Sequence, residues 1–255
     1  MYAGTFSARN EYDLSIIVPC LNEADNVEQV LESILEILDK IPNCTSEIVV
    51  VDDQSEDDTY AITQNFIKTR NLEGRVRLVL RNLRRRGYGA AVRYGVAHSY
   101  GRYAIFVSAD MVDPIEHLPT FYQMMEEGAD LVQCSRYQNA GDTATIPFIY
   151  KFYQFFYRRL VRSLVGTTLT DTTYAFKMFR RSDMLALGLT QNRFSISPEI
   201  TFKVLLSGGK VMSFAAPQGT RVFGVSKFRF AKEAYGYSHV LLRAFLHRVG
   251  LVFWF

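Results

Sequence analysis

Three apolar, β-branched segments of this chain each end in carboxylate residues. The segments are LSIIVPCLNEAD, EIVVVDDQSEDD and YAIFVSADMVDP, and they carry Glu23, Asp53 and Asp110. A continuous apolar run is typical of a buried parallel strand, and ligands of open α/β sheets bind beyond the carboxyl ends of such strands. We therefore expect these three acids to meet in one crevice, where they suit a charged ligand with its counter-ions.

The third segment departs from what a metal-diphosphate site would favour. Ser108-Ala109-Asp110 offers one carboxylate where two would hold a divalent cation more firmly. Hard cations take oxygen ligands, and Mg²⁺ often uses only one or two carboxylates with waters and substrate phosphates. One aspartate and one serine hydroxyl therefore make a weaker but chemically sensible cation site.

The bulk composition limits the class of protein. The chain has 255 residues, of which 48% are hydrophobic and 22% charged, with a formal net charge of +3. These values are typical of a globular protein with one sizeable core, and the charge gives no reason to expect a nucleic-acid partner. Cys20, Cys44 and Cys134 are odd in number and widely spaced, so we expect reduced thiols.

The elements that must position the acids alternate in the first half of the chain. The pattern predicts strands at 14–18, 48–51, 76–80, 104–107 and 131–134, with helices at 25–38, 57–68, 89–99 and 115–127. In the second half it predicts helices at 148–165, at 198–207 and from 232 to the terminus, with strands at 174–179 and 211–215. Alternating strands and helices predict an α/β fold with a Rossmann-like, doubly wound, mostly parallel sheet.

Several motifs together carry a resemblance to a known family. VPCLNE, VVDDQSEDDT, RRRGYGAAVRYG, SADMVDP and DLVQCSRY resemble glycosyltransferase family 2, which has the GT-A fold. DTTYAFKMFRR and RVFGVSKF resemble segments of the dolichol-phosphate mannose synthases and bacterial polyprenyl-phosphate hexosyltransferases in that family. The likeness runs from Leu14 to about Phe228.

The resemblance implies a division of the chain. Residues 1–228 would form the GT-A domain, with a nucleotide-binding half at about 13–137 and an acceptor- and membrane-facing half at about 138–228. Residues 229–255 would form an amphipathic C-terminal helix at the membrane interface.

The resemblance also implies the nucleotide-binding residues. These would be Pro19, Leu21, Glu23, Val51 and Asp53, with Asp53 accepting a hydrogen bond from the base. The family usually has tyrosine where this chain has Leu21.

The remaining implied contacts concern the diphosphate and its cation, Mg²⁺ or Mn²⁺. Ser108, Ala109 and Asp110 occupy the D-x-D segment, so Asp110 with Ser108 would hold the metal. Three basic residues match positions that grip phosphate groups: Arg136, Arg221 and Lys227. Arginine suits bidentate phosphate contact and lysine acts as a point charge. We assign Asp110, Arg221 and Lys227 the catalytic roles.

The implied reaction transfers a hexose from a GDP- or UDP-hexose to a polyprenyl phosphate, dolichyl or undecaprenyl, with inversion. The attacking phosphate is already anionic, so positioning and leaving-group stabilisation would do most of the catalysis. Two alternatives remain. One is a family-2 transferase acting on a glycan hydroxyl, and the other is a non-catalytic nucleotide-sugar-binding protein, favoured only by Ser108.

Some positions keep two interpretations. Asp113 either compensates for Ser108 or marks the start of a helix beside Pro114. The arginine loop at 84–86 either lies near the diphosphate or is a solvated basic loop. Asp171 either caps a turn or belongs to the acceptor pocket, whose shape Tyr174 changes by replacing the family's small residue. Glu199 matches a family acid and is expected to orient a basic phosphate clamp or the sugar.

Two amphipathic segments predict contact with a membrane surface. Phe148, Phe152, Phe155, Phe156 and Leu160 recur at helical spacing among arginines, and VLLRAFLHRVGLVFWF ends the chain. Neither segment reaches the length of a membrane span. We expect interfacial binding at the cytoplasmic face of a membrane, with packing against the body as the alternative. A membrane-anchoring partner or further C-terminal segments are also compatible with this ending.

Overall fold

Seven strands form one sheet in the computed structural model, which describes residues 11–83, 85–139, 146–217, 219 and 230–255. The strands are β1 (Tyr12–Cys20), β2 (Ser46–Asp52), β3 (Val76–Leu80), β4 (Gly101–Phe106), β5 (Leu131–Ser135), β6 (Lys177–Arg180) and β7 (Val211–Ala215). Their order across the sheet is β3-β2-β1-β4-β6-β5-β7.

Eight α-helices accompany these strands in the described residues. They are α1 (Val27–Leu38), α2 (Thr59–Thr69), α3 (Tyr88–Ala97), α4 (Leu118–Glu126), α5 (Phe148–Val165), α6 (Arg181–Ala186), α7 (Ile196–Leu206) and α8 (Phe230–Arg248). A 3-10 turn at Ile115–His117 leads into α4.

The sheet is mostly parallel, as the sequence predicts. β1 pairs in parallel with both β2 and β4, β2 does so with β3, and β5 with β7. Only β6, among the described strands, runs antiparallel to its neighbours β4 and β5. The chain order reverses direction between β1 and β4, and this switch point is where open α/β sheets bind their ligands.

The two faces of the sheet are covered by different helices. On β1, Leu14, Ile16 and Val18 join a core with residues of α1, α2 and α4, whereas Ile17 faces the opposite core with α3, α6 and α7. This alternation follows from the period of two in a β-strand. A third apolar cluster joins α5, α7 and α8.

Two predicted elements differ from the structure. The predicted strand 174–179 begins only at Lys177, because the residues before it form a turn capped by Asp171. The helix predicted to run from 232 to the terminus ends at Arg248, so the prediction is wrong for residues 249–255. Gly250 has φ +76°, and Trp254 returns to the body with 3% of its surface exposed. Helix α6 follows β6 directly and was not predicted from the pattern.

A small residue sets the spacing between α3 and the sheet. A Cβ atom on Gly95 would lie 2.4 Å from Ile17 Cγ2 and 2.9 Å from Val51 Cγ2. We expect Gly95→Ala to lower the free energy of unfolding, because overpacking costs about 1–3 kcal/mol and the ~1 kcal/mol gained in helix propensity offsets only part of it. Urea denaturation measures the change.

Gly74→Ala is the matched control, since a Cβ there meets no heavy atom within 4 Å. Equal unfolding free energies for both variants would contradict the close approach of α3 to β1.

Candidate active site

Three loops follow the carboxyl ends of β1, β2 and β4 at the switch point. Each loop contains a non-glycine residue in the left-handed region: Asn22 (φ 53°), Gln54 (φ 65°) and Met111 (φ 59°). This conformation costs roughly 1–2 kcal/mol for an ordinary side chain, and such strain concentrates at functional sites. The loop geometry therefore marks the same edge of the sheet as the acids do.

The loops after β1 and β2 are joined by backbone-to-side-chain hydrogen bonds. Asn22 N donates to Ser55 Oγ at 2.9 Å, and Glu23 N donates to Thr59 Oγ1 at 2.8 Å. The Glu23 carboxylate accepts a bond from Asn26 Nδ2 at 2.9 Å, and Glu23 is 9% exposed. Glu23 thus helps to build the loop, and its role toward a nucleotide stays a prediction.

Asp53 forms a buried ion pair that the sequence did not predict. Arg81 Nη1 lies 2.5 Å from Asp53 Oδ1, and Gly87 N donates to Asp53 Oδ2 at 2.8 Å. Arg81 Nη1 also donates to Arg85 O at 2.9 Å, so the pair fixes the start of the arginine loop. A nucleobase contact at Asp53, which stays a prediction, would share the carboxylate with these donors.

The other predicted nucleotide contacts lie along β1 and β2. Pro19 and Leu21 are partly exposed at the end of β1, whereas Val51, paired with Pro19, is fully buried in the core against α3. Val51 is therefore available to a ligand through its backbone only. The position of its side chain follows from the same alternation that buries Ile17.

The loop after β4 folds back on itself. Ser108 N donates to Asp113 Oδ2 at 2.6 Å, and Val112 N lies 3.4 Å from Asp110 Oδ1. Ser108 and Asp110 are partly exposed, Ala109 is buried, and Asp113 is buried. Burial raises the pKa of Asp113 to about 6, with the charge of Asp110 adding to the rise and the Ser108 bond opposing it. Asp113 thus closes this loop, and it also precedes the 3-10 turn at 115–117.

Arg136 lies at the carboxyl end of β5 in a bidentate pair with Asp171. Its Nε and Nη2 atoms lie 2.7 and 3.2 Å from the two carboxylate oxygens of Asp171. Asp171 also accepts bonds from Thr173 N and Tyr174 N, which confirms that it caps the turn. Burial alone would raise the pKa of Asp171, but Arg136 and the turn amides hold it below its ordinary value.

The aromatic rings of Tyr174 and Tyr137 flank this guanidinium. The Arg136 Cζ atom lies 4.5 Å from the Tyr174 ring centroid and 5.5 Å from that of Tyr137. The Cζ atom of Arg158, on α5, lies 4.9 Å from the centroid of the same Tyr137 ring. Tyr174 therefore fills space beside Arg136, and the sequence had indicated a changed pocket at this position.

The Gly87-Tyr88-Gly89 turn packs tightly against the loop before α7. A Cβ on Gly87 would lie 2.3 Å from Asn192 O, and one on Gly89 would lie 2.6 Å from Gln191 O. The Tyr88 ring stacks on Phe194 with centroids 4.7 Å apart. The glycines are needed for this close approach, and the contact joins the start of α3 to the second half of the chain.

Glu199 anchors that same loop. Its carboxylate accepts hydrogen bonds from Thr190 N and Gln191 N at 2.9–3.1 Å, and Lys203 Nζ lies 3.7 Å away. The basic partner of Glu199 is thus Lys203, and its predicted roles toward a phosphate clamp or a sugar stay predictions.

A buried lysine lies beneath the Asp171 turn. Lys177 Nζ donates to Gln133 Oε1 at 2.8 Å and to Thr172 O at 3.1 Å, and its side chain is fully buried. Burial lowers its pKa from 10.5 to about 7, against the opposing effect of Asp171. The sequence pattern placed this residue in a strand but gave no sign of its partners.

The depressed pKa of Lys177 makes a prediction for stability. Between pH 7 and 10.5 the unfolded chain holds more protons at this site than the folded chain, so this lysine favours the folded state increasingly as pH rises. We expect the free energy of unfolding of the unmodified protein to increase with pH relative to that of Lys177→Met. Urea denaturation across this pH window, with exposed Lys210→Met as control, measures the difference. A difference that is flat with pH would contradict the assignment.

A cavity of about 680 Å³ opens between the loop before α7 and the first turns of α8. Arg193, Lys232 and His239 line it together with Glu233. Arg193 Nη1 lies 3.5 Å from Glu233 Oε1, and burial raises the pKa of Glu233. The cavity therefore combines three basic side chains with one buried acid.

The predicted clamps Arg221 and Lys227 lie outside the described residues. Gly219, two residues before Arg221, is described, and its N donates to Val112 O at 2.9 Å. This bond brings residue 219 to the loop that carries Asp110. Within the described ranges no three His, Cys, Asp or Glu side chains gather as a metal site, and Cys20, Cys44 and Cys134 form no disulfide there.

Helix α5 presents large apolar side chains to solvent. Phe148, Phe152, Phe155, Phe156 and Leu160 are all 45–79% exposed. The opposite side of α5 packs on α8 through Tyr157 and Val161. In the described part of the chain, no helix has the length and apolar character required to span a bilayer.

The chain is similar in sequence to known sugar transferases. A sequence model described as glycosyl transferase family 2 matches residues 15–187. A dolichol-phosphate mannosyltransferase of Pyrococcus furiosus is 27% identical over 226 residues, which are 85% of this chain and 59% of that protein. A dolichyl-phosphate hexose transferase of Haloferax volcanii is 27% identical over 209 residues, covering 82% of this chain and 84% of that protein.

A third relative is similar in sequence, and a solved structure is similar in fold. A dolichyl-phosphate beta-glucosyltransferase of Drosophila melanogaster is 31% identical over 183 residues, 67% of this chain and 55% of that protein. The chain thus spans little more than half the length of two of these three relatives. A crystal structure of glucosyl-3-phosphoglycerate synthase from Mycobacterium tuberculosis with Mn²⁺, UDP and phosphoglyceric acid has a TM-score of 0.66 at 19% identity, covering 95% of this chain and 80% of that one. This likeness shows a shared fold.

Proposed function

The chain belongs to glycosyltransferase family 2, and on that basis we propose that it transfers a hexose from UDP- or GDP-hexose to a polyprenyl phosphate. The observation that carries the proposal is the edge of the sheet at the switch point, where Asp53, Asp110 and Arg136 follow the carboxyl ends of β2, β4 and β5. A nucleoside diphosphate needs both hydrogen-bond acceptors for its base and positive charge for its phosphates, and this edge of the sheet offers both kinds of group.

The acceptor is inferred from the relatives and from the surface. Three relatives carry names of dolichyl-phosphate sugar transferases, and a lipid phosphate would have to reach the crevice from a membrane. The exposed aromatic face of α5 suits a membrane interface, because apolar side chains enter it while arginines remain at the headgroups. The basic cavity beside α8 is positioned to receive an anionic group from that side. We place the protein at the cytoplasmic face, where nucleotide sugars are expected.

The loop after β4 fits a divalent cation, Mg²⁺ or Mn²⁺. Asp110 and the Ser108 hydroxyl supply hard oxygen donors, and Asp113 Oδ1 is buried without a hydrogen-bond partner. When bound, the cation would neutralise charge on the leaving diphosphate. The glucosyl-3-phosphoglycerate synthase structure, which shares this fold, contains Mn²⁺ and UDP and so supports a divalent cation with a nucleoside diphosphate.

The chain's own residues position the reactants. The Asp53–Arg81 pair and the joined loops of β1 and β2 would hold the base and ribose in a fixed place. An oxygen of the acceptor phosphate would form a bond to the anomeric carbon while the bond from that carbon to the donor diphosphate breaks, and the nucleoside diphosphate leaves with the electron pair. Attack from the opposite face inverts the configuration. The acceptor is anionic, so no strong base is required, and Arg221 and Lys227 are proposed to hold the phosphates.

Transfer to a glycan hydroxyl is the second candidate within the enzyme class. It would need a general base in reach of the acceptor hydroxyl, because the hydroxyl must lose a proton. Among described residues, Asp171 is held by Arg136 and Glu199 by its loop, so neither is disposed for that task. The polyprenyl phosphate acceptor is therefore preferred.

The decisive assay uses purified protein, radiolabelled UDP- and GDP-hexoses, Mn²⁺ and polyprenyl phosphate. We expect label to enter the lipid phase with one of the two donors. Donor binding without transfer to lipid would instead support the non-catalytic binder, and transfer to a glycan acceptor would support the second candidate.

The membrane contact makes a separate prediction. Replacing Phe152 and Phe156 with serine should weaken binding to anionic vesicles by at least about tenfold, because two large apolar side chains would no longer enter the interface. Co-sedimentation with vesicles measures the change. Tyr60→Ser, at an exposed aromatic position on α2, is the control, and equal binding by both variants would exclude α5 from the interface.

A further inference from the structure

The loop that carries Asp110 brings a second carboxylate toward it. Met111 adopts the left-handed conformation with φ 59°, which reverses the chain immediately after Asp110. Asp113 then returns to the start of the loop, where its Oδ2 accepts the 2.6 Å bond from Ser108 N. Asp110 belongs to the same loop, and its Oδ1 lies 3.4 Å from Val112 N. The side chain of Asp113 thus lies beside the backbone of Ser108, the residue that replaces the family's first acid.

One oxygen of Asp113 has no partner in the described part of the chain. Asp113 Oδ1 is buried and makes no hydrogen bond. The Tyr174 hydroxyl approaches Asp113 as a side-chain donor and lowers its pKa, but the acceptor that it meets at hydrogen-bond distance is Val112 O, at 3.4 Å. A buried carboxylate oxygen left unpaired is costly, and it calls for an ion, a water or a ligand.

A second orphaned oxygen lies nearby on α3. The Tyr88 hydroxyl is buried and has no hydrogen-bond partner among the described residues. Its ring is held in place by the stack on Phe194. Burial raises the pKa of Tyr88, and the charges of Asp113 and Asp110 add to the rise. Unpaired buried oxygens on Asp113 and Tyr88 each call for a small polar partner.

We propose that Asp113 supplies the second carboxylate ligand of the divalent cation, in the role that an acid at position 108 would otherwise have. The inference rests on the proposed function, because the cation is the one that accompanies the donor diphosphate. Asp110 and Asp113 are the anionic oxygen ligands, and Ser108 contributes through the backbone N–H that orients Asp113. Two carboxylates with waters and phosphates satisfy the coordination that Mg²⁺ and Mn²⁺ require.

This arrangement explains why Ser108 is compatible with an active enzyme. A carboxylate at 108 would add a third acid to a loop that already holds the partly exposed Asp110 and the buried Asp113, and neighbouring like charges oppose one another. Moving the second acid to position 113 keeps the count of carboxylates at two. The left-handed Met111 is the conformation that makes the move possible.

The first test measures cation affinity without turnover. The full chain is titrated with Mn²⁺ in the presence of saturating UDP and, separately, GDP, and the EPR signal of free Mn²⁺ gives the affinity. We expect Asp113→Asn to lose at least tenfold in affinity, and to lose more than Ser108→Ala does. Asparagine keeps an oxygen for the Ser108 N–H bond, so the change removes charge while retaining the loop contact. Glu116→Gln, an exposed acid in the following turn, is the matched control.

A second variant separates ligation from a purely structural role. Asp113→Cys replaces a hard oxygen with a soft sulfur, which favours Cd²⁺ over Mn²⁺. We expect this variant to bind Cd²⁺ more tightly than the unmodified protein does, and to recover transfer with Cd²⁺ but not with Mn²⁺. Thermal melting shows whether each variant is folded. If Asp113→Asn is folded and binds Mn²⁺ within twofold of the unmodified protein, or if the cysteine variant shows no change in metal preference, the inference is overturned.

Failure of the inference is distinguishable from failure of the proposed function. If the unmodified protein transfers hexose to lipid and binds Mn²⁺ independently of Asp113, only the assignment of the ligand is wrong. If the unmodified protein binds neither Mn²⁺ nor a nucleotide sugar, both the function and the ligand assignment fall together.

Discussion

Asp110→Asn should lower the rate of hexose transfer by a factor of about 10²–10³ or more while the protein remains folded. The leaving diphosphate gains negative charge as its bond to the sugar breaks, and Asp110 is the carboxylate of the D-x-D segment that remains to hold the neutralising cation. Removing one preorganised electrostatic contact to developing charge typically costs about 10²–10³ in rate. Asp110 is partly exposed, so the loss of its charge should change the unfolding free energy little.

The measurement is single-turnover transfer at saturating donor, with Mn²⁺ varied. Glu116→Gln is the control, because Glu116 is an exposed acid of the same segment. A variant of Asp110 that keeps full activity at low Mn²⁺ would show that the loop after β4 is not the cation site. An inactive variant that unfolds at a lower temperature would instead point to a structural role for this aspartate.

Asp171→Ala should reduce the free energy of unfolding by about 3–5 kcal/mol, because it leaves the Arg136 guanidinium buried without its counter-ion. The Asp171 side chain has no exposed surface and that of Arg136 only 15%. The change also removes the acceptor for the turn amides of Thr173 and Tyr174. Urea denaturation at neutral pH measures the loss.

The double variant Arg136→Met with Asp171→Ala tests the cause. If the uncompensated guanidinium dominates, the double variant should be more stable than Asp171→Ala alone, giving a favourable coupling between the two positions. Asp39→Ala is the control, since its pair with Arg75 is largely solvent-exposed and such pairs contribute about 0–1 kcal/mol. Additive effects at 136 and 171 would contradict the ion-pair explanation.

The centre of the sheet could be predicted from the sequence because β2, β4 and most of β1 are buried on both faces. Continuous apolar runs identified β1 to β4 within two or three residues, and β7 and α5 agree with the prediction at both ends. The acid-ended segments predicted where the crevice lies, since the carboxyl ends of parallel strands share one edge. These predictions depend on local patterns that the fold does not override.

The partners of the site residues could not be predicted, because they depend on contacts between distant parts of the chain. Arg81 was visible only as one member of an arginine-rich stretch, yet it meets Asp53 across 28 positions. Tyr88 lay between two glycines that suggested a flexible loop, and its stack on Phe194 joins residues more than a hundred positions apart. The return of Trp254 to the body is equally non-local, since it depends on Lys203 and Arg243 lying 5.2 and 5.5 Å from its ring.

The order of the strands also has a consequence for synthesis on the ribosome. Among the described strands β5 pairs with β6 and β7 alone, and both emerge more than forty residues later in the chain. Until residues 177–180 have been translated, β5 has no strand partner and β4 exposes one edge, and the second edge of β5 stays open until residues 211–215 follow. Unpaired edges of this kind invite association with other chains. We therefore expect nascent chains that stop before residue 177 to need chaperone protection, and the sheet to close only after most of the protein has been made.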